Sequence, residues 1–313
     1  DKAKADGKPE NMIDNIVVSK TFSADLPADF TGGIINIETK DFPETHQAAL
    51  NIGLAYNPGA HFTGDFVGYK GGATDFLGFD DGTRAIPAVT NIPFFAEVVG
   101  NTTSAKAERY KEILSAFNPV MAATRQTSLC DFSLGANFGN QKELKARTLG
   151  YNFAFSYKNS SDYYENAEYG RYGLSGDKSV YELDRREFQT GDYGVKSVFV
   201  NVLGGIALKT NTSKYRMNIM HLQNGESKAG IFDYEKTSLG TNFSGIVHTL
   251  DYSQRSLTNL IIDGKHVFSD AQWNLEWKLS PTISLIYDPD IRFTRYEDRE
   301  GVYSISTESG FPE

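Results

Sequence analysis

The chain has 313 residues, of which 40% are hydrophobic and 13% aromatic, with 17 Tyr, 21 Phe, 29 Gly and a formal net charge of -9. The acidic balance and the lack of a Lys/Arg-rich run argue against a nucleic-acid partner, and the single cysteine, Cys130, excludes an internal disulfide and a cysteine-based zinc site. No apolar run approaches the ~18 residues of a transmembrane helix, although barrel strands cross a membrane without one because alternation hides their apolar face.

The first ten residues are polar. Residues 15–20 predict a short strand, 25–29 a turn, and 32–40 a strand opened by Gly32-Gly33, which 41–44 then breaks. After residue 46 the text becomes one of alternation. Leu50, Ile52, Leu54 and Tyr56 interleave with Asn51, Gly53 and Ala55, and Phe132, Leu134, Ala136 and Phe138 with Ser133, Gly135 and Asn137. Leu149, Tyr151, Phe153, Phe155 and Tyr157 follow the same rule, as do Trp273, Leu275, Trp277 and Leu279. Side chains two apart share a strand face, so each segment has one apolar face and one small or polar face. Residues 104–117 instead read as a helix inside the longest connection, with Ser104 as N-cap. Short polar links at 141–147 and 209–214 alternate with long ones at 57–126, 159–193 and 223–254.

The dyad pattern has two physical homes. A soluble β-sandwich turns the apolar face into a core; a membrane barrel turns it out to lipid and lines a lumen with the polar face. The pattern alone leaves the two even. Amphipathic aromatics such as Tyr56, Tyr151, Tyr157, Trp273 and Trp277 suit a membrane boundary, and short links alternating with long ones suit a barrel with two unlike rims.

Motifs of catalysis are absent from the text. Gly32-Gly33 is followed by neither Lys-Ser/Thr nor a helix pattern, so it reads as tight backbone passage and not as a phosphate cradle. Asp80, Asp81, Gly82 and Arg84 lack calcium-loop spacing and read as a turn, with Asp capping backbone N–H groups and Arg84 pairing with a carboxylate; Asp288-Pro289-Asp290 reads in the same way. His46, His61, His221, His248 and His266 are scattered, with no HExxH pair and no Gly-x-Ser-x-Gly elbow. The expectation is therefore no enzyme, no cofactor and no metal. The Tyr-rich stretch containing Tyr163, Tyr164, Tyr169 and Tyr172 is the candidate ligand-binding surface, because aromatic faces stack on sugars and cations; its alternative is a Tyr-lined loop packed on its neighbours.

Several of these segments carry a resemblance. Ile16-Val17-Val18-Ser19-Lys20, Ala24-Asp25 and the strand with Gly32, Gly33, Asn36, Thr39 and Lys40 resemble the end of the plug domain of TonB-dependent receptors. Residues 74–87, containing Phe79-Asp80-Asp81-Gly82-Thr83-Arg84, resemble an extracellular-loop signature of one branch of that family, and 257–266 and 288–293 resemble parts of its barrel. The resemblance implies an all-β fold: a partial transmembrane antiparallel β-barrel (46–313) with the C-terminal part of an N-terminal plug domain (1–45) and one short helix in an extracellular loop. It implies a cell outer-membrane receptor that binds an extracellular ligand (siderophore, glycan or similar) and imports it past the plug. Its partners would be outer-membrane lipid, the TonB energy-transducing complex through a missing N-terminal segment, and a surface lipoprotein. With seven or eight candidate strands against the roughly 22 of transporters of this kind, the chain reads as an internal fragment. The alternative is a soluble or cell-surface β-sandwich module that binds glycan.

Overall fold

A computed structural model describes residues 13–21, 32–39, 45–177, 179–238, 241–268, 272–299 and 301–305. β1 (Ile13–Ser19) and β2 (Ile34–Thr39) form an antiparallel pair of their own. β3 (Gln47–Ala55) enters the main sheet, and the segment that follows carries β4 (Phe66–Gly68), α1 (Phe95–Val99), α2 (Ala105–Ala116) and β5 (Thr124–Gln126). Then come β6 (Asp131–Leu144), β7 (Arg147–Leu174), β8 (Leu183–Lys209), β9 (Ser213–Ser238) and β10 (Thr241–Phe268). β11 (Trp273–Leu279), β12 (Thr282–Arg299) and β13 (Val302–Ile305) complete the chain. Strands make up 64% and helices 8%, so the class is all-β. One antiparallel sheet, ordered β13-β12-β10-β9-β8-β7-β6-β3 with β11 also on β10, dominates, and it is not closed.

The helix expected at 104–117 is α2, and the Ser104 hydroxyl accepts from the Ala107 N–H as an N-cap should. The five-residue α1 has no counterpart in the sequence reading. The links expected at 159–193 and 223–254 are corrected: β7, β8, β9 and β10 keep pairing through them, and only 175–182 and 239–240 lie between strands. Both faces of these extensions carry polar residues, so the ladder persists where hydropathy no longer alternates.

Residues paired across antiparallel strands share a face. One row reads Leu50, Ala136, Phe155, Val202, His221, Thr258 and Ile283; the next reads Phe138, Phe153, Gly204, Ile219 and Leu260. These apolar rows lie open, with Leu54 74% and Leu275 51% exposed. The opposite face is crowded: Asn137, Asn152, Ala154, Asn201, Ala207 and Asn218 are all buried. Two adjacent glycines sample the contrast. A Cβ on Gly204, on the apolar face, would meet only Ile219 at 3.9 Å, whereas one on Gly205 would run into the side chains of Asn152 and Asn218.

Three β-bulges interrupt this sheet, one of them at Arg186 of β8, and the other two redirect side chains toward clusters. Asp288 and Pro289 together oppose Ser253, so Tyr287 and Asp290, three apart, both land on the apolar-band face. Glu165 and Asn166 together oppose Asp192, with Asn166 at φ 51°, so Tyr164 and Tyr169, five apart, share the other face.

Beyond the apolar rows, on the same face, sits the segment 57–130. Its ends pair as β4 and β5, and Val67 and Ala123 pack with Ala229 and Leu250 of the sheet in a small core. A connection this long is unusual in a compact fold; this one persists because it has its own ladder and core. Its closest approach is backbone on backbone. Gly78 (φ 80°) lies on Gly225, where a Cβ would come within 2.5 Å of the Gly78 Cα. We expect Gly225→Ala to lift residues 75–84 off the sheet at a cost of about 1–3 kcal/mol, seen as faster hydrogen exchange there. Gly204→Ala should leave that exchange unchanged, and equal behaviour of the two variants would refute the contact.

Candidate functional site

The motif at 75–84 folds on itself before it meets the sheet. Asp75, Phe76 and Leu77 make one 3-10 turn, ended by Gly78 in the left-handed region. Asp80 accepts from the Gly82 N–H at 2.8 Å, and Asp81 from the N–H groups of Thr83 (3.0 Å) and Ala73 (2.7 Å) and from the Thr83 hydroxyl. Those bonds, the Thr83 hydroxyl foremost, hold the Asp81 pKa down at about 2. Gly82 sits at φ 88°.

This turn presents Arg84. Its side chain is 1% exposed and forks onto Asp75 at 2.8 and 2.6 Å, with Asp80 at 2.8 Å. The guanidinium lies 4.0 Å from the Tyr252 ring centre and 5.7 Å from that of Tyr69. Its Nε faces Asp290 at 3.8 Å. Burial works against the charge, but the bonds to Asp75 and Asp80 outweigh it and raise the pKa, so Arg84 stays cationic. Asp290 in turn accepts from Arg292 at 2.5 Å, and Arg292 donates to the carbonyls of Asn118 (2.9 Å) and Val120 (2.5 Å). Burial raises the Asp290 pKa, against the pull of Arg292 and Arg84. Both halves of the long connection are thus clasped to one carboxylate on β12, the one that the Pro289 bulge turns toward them. Backbone bonds complete the clasp: the Asp80 N–H donates to Gln254 at 2.7 Å, and Gln223 donates to the Gly78 carbonyl at 2.5 Å.

The four tyrosines chosen from the sequence do not form one surface. They lie on strand β7 and not in a loop. Tyr163 faces the 57–130 segment, against Phe66 and within 3.4 Å of Arg125. Tyr164 is on the opposite face, stacked on Tyr193 at 4.5 Å and 12°. Tyr169 meets Phe232 edge-on at 5.5 Å, and Tyr193 is 6.4 Å from the same ring. The ring of Tyr172 lies against Gly170 instead. Tyr164 and Tyr169 therefore belong to an aromatic array with Tyr193 and Phe232, which sequence spacing could not have revealed because both partners arrive from other strands.

The plug-like residues fall as follows. Asn36 pairs with Val17 and Thr39 with Ile13 in the β1–β2 ladder, and Lys40 lies outside the described residues. A Cβ on Gly32 would meet no described residue within 4 Å. Gly32 and Gly33 are both exposed. Among the described residues no three His, Cys, Asp or Glu side chains are grouped to hold a metal. In the clasp, the cation among the carboxylates is Arg84. No protein-family model, curated protein or solved structure matches the chain.

Arg84→Met should strand Asp75, Asp80 and Asp290 without their cation at a cost of about 3–5 kcal/mol. Amide exchange over 66–84 should then quicken on the order of a hundredfold or more, with partial rescue by Arg84→Lys, whose ammonium keeps the charge but not the fork. A second outcome concerns pH. The His248 Nδ1 accepts from the Ala123 N–H at 3.2 Å, so it must be unprotonated, and burial lowers the pKa of this ring. The bond's contribution is complete above the free-imidazole value of about 6.5 and is lost as pH falls through the lower folded pKa. Exchange over 118–126, corrected for intrinsic rates, should rise on acidification in the natural protein and stay flat in His248→Phe.

Proposed function

We propose that this chain is part of a TonB-dependent outer-membrane receptor, with 1–45 ending the plug and 46–313 supplying early barrel strands. One observation carries the reading: the open apolar band has the height of a bilayer and is one strand-face deep. On β7 the band runs from 149 to 157, nine positions, and on β8 from 200 to 208, also nine positions. A tilted barrel strand needs about 9–11 residues to cross the hydrocarbon. Tyr151, Tyr215 and Trp277 stand near the edge of the band at the short turns, and Tyr157 and Tyr287 near the other; amphipathic rings are favoured at both membrane boundaries.

The remaining dimensions support the same reading. β7 has 28 residues, roughly 90 Å at ~3.3 Å per residue, far more than a membrane spans. The turns at 145–146 and 210–212 close the band end, while the extensions and the 57–130 segment stand beyond the far edge. In this orientation the short turns are periplasmic and the clasped segment is extracellular. The crowded face with Asn152, Asn201 and Asn218 lines the lumen, and Tyr164, Tyr169, Tyr193 and Phe232 lie above it as a stacking surface for the imported ligand. A soluble sandwich would need a second layer over the band, and among the described residues its side chains are left exposed. No described helix is long and apolar enough to cross a membrane.

Ile219→Arg tests the orientation. At mid-band in lipid, Arg costs about 2–4 kcal/mol, so the variant should assemble poorly in the membrane fraction. On a water-facing surface the same change would be neutral. Unchanged assembly, or recovery of the natural protein in buffer without detergent, would overturn the proposal.

A further inference from the structure

A cleft of about 320 Å³, at the lower end of the range for small-ligand sites, runs between the 66–76 stretch and the sheet. The turn at 76–78 shuts it off from the apolar band: Gly78 lies on Gly225, Gln223 donates to the Gly78 carbonyl, and the Tyr157 hydroxyl donates to the Phe76 carbonyl at 2.8 Å. Val198 and Gly225, both buried, form part of its floor, and Gln126, Lys196 and Phe76 are exposed at its rim. The cleft is a water-facing recess under the clasped segment, on the opposite face of the sheet from the stacked Tyr164 and Tyr193.

Its polar lining mixes donors with acceptors, and much of it is unengaged. Tyr252 is 1% exposed, and its buried hydroxyl has no hydrogen-bond partner among the described residues, which costs free energy unless something answers it. The side chains of Gln126 and Asn159 make no hydrogen bond, and Lys196 makes no ion pair, among the described residues. Asp75, the carboxylate in the wall, is held by the Arg84 fork. Each amide side chain carries a carbonyl that only accepts beside an amino group that only donates. The oxygens of an anion would leave both carbonyls unanswered. Hydroxyl groups answer every member of the set, because each one both donates and accepts. Phe66 and Phe76 add apolar wall, against which the C–H face of a ring can lie.

We propose that this cleft binds a small uncharged polyhydroxy ring, a single sugar or a cyclic polyol. Gln126 and Asn159 exchange hydrogen bonds with its hydroxyls, and the Tyr252 phenol bonds the group that reaches deepest. Lys196 lies at the solvent end, where screening leaves its charge little weight. The site goes beyond the receptor reading and does not rest on it. Under that reading the cleft sits on the outer wall, away from the stacking surface above the lumen, so its occupant is not the imported ligand.

The test uses the natural protein in a zwitterionic detergent without a sugar headgroup. Glucose, galactose and myo-inositol are the probes, with glucuronate and cyclohexanol as contrasts. Binding is titrated by saturation-transfer NMR, and amide exchange is followed over 66–76. At least one neutral polyol should bind and slow that exchange, with glucuronate no tighter and cyclohexanol weaker. Asn159→Ala and Tyr252→Phe should each weaken the polyol about tenfold, the effect of losing one buried hydrogen bond, whereas Lys196→Gln should change it less than about twofold. Tyr252→Phe keeps the ring under Arg84, and unchanged exchange over 77–84 in the ligand-free variants checks that the clasp stands. No binding by any of the three polyols, equal binding of cyclohexanol, or indifference to both weakening substitutions would overturn the site. Tighter binding of glucuronate than of any neutral probe would overturn the uncharged ligand. Recovery of the natural protein without detergent would sink the receptor reading and leave the cleft to be decided by the same titrations in buffer.

Discussion

A strand has only two faces, and hydrogen bonding to both neighbours fixes which residues share each one. In this sheet that constraint acts over eight consecutive antiparallel partners. Once Phe155 is opposite Val202, and Val202 opposite His221, no single side chain can choose its side. The apolar rows, the crowded amide rows and the seat of the long connection all follow from the same ladder. Freedom enters only where a strand carries an extra residue. Two of the sheet's bulges each serve a cluster: the one at Glu165-Asn166 brings Tyr164 and Tyr169 together, and the one at Asp288-Pro289 turns Asp290 toward Arg84.

The clasp shows how a long connection is held without a large core. Its buried apolar contribution is small, centred on Val67, Ala123, Ala229 and Leu250. A buried cation shared among three carboxylates and two rings supplies direction that hydrophobic contact lacks. Desolvation makes such a cluster costly to break, because removing one member leaves charges without partners. It also sets geometry. Gly78 lies on Gly225 and Arg84 faces Asp290 at 3.8 Å, so the backbone contact and the charge cluster seat the same short segment.

The band and the clasped segment share one face of the sheet. The sheet changes character within one row, from Val198 and Gly225 to Lys196 and Ser227. The turn at 76–78 sits on that boundary, with Gln223 donating to the Gly78 carbonyl and Tyr157 to the Phe76 carbonyl. The crowded face is filled differently, by short amides packed between neighbouring strands, as at Asn201, which donates to the Ser156 hydroxyl at 3.0 Å.

Much of the local structure was legible in the residues themselves. Period-two runs around Leu50, Phe132, Tyr151 and Trp273 marked strands, the polar links at 141–147 and 209–214 marked hairpins, and Ser104 marked the start of α2, because face, turn and cap are short-range properties. The sequence also singled out Asp80, Arg84 and Asp290, but as separate turns. Only the tertiary structure joined them, since the register that places β12 beside the loop is set through strands far away in the chain. It alone extended β7 through β10 into polar text, where paired backbones need no apolar alternation. It alone divided the tyrosines between two faces, because a one-residue bulge reverses parity without leaving a mark in hydropathy.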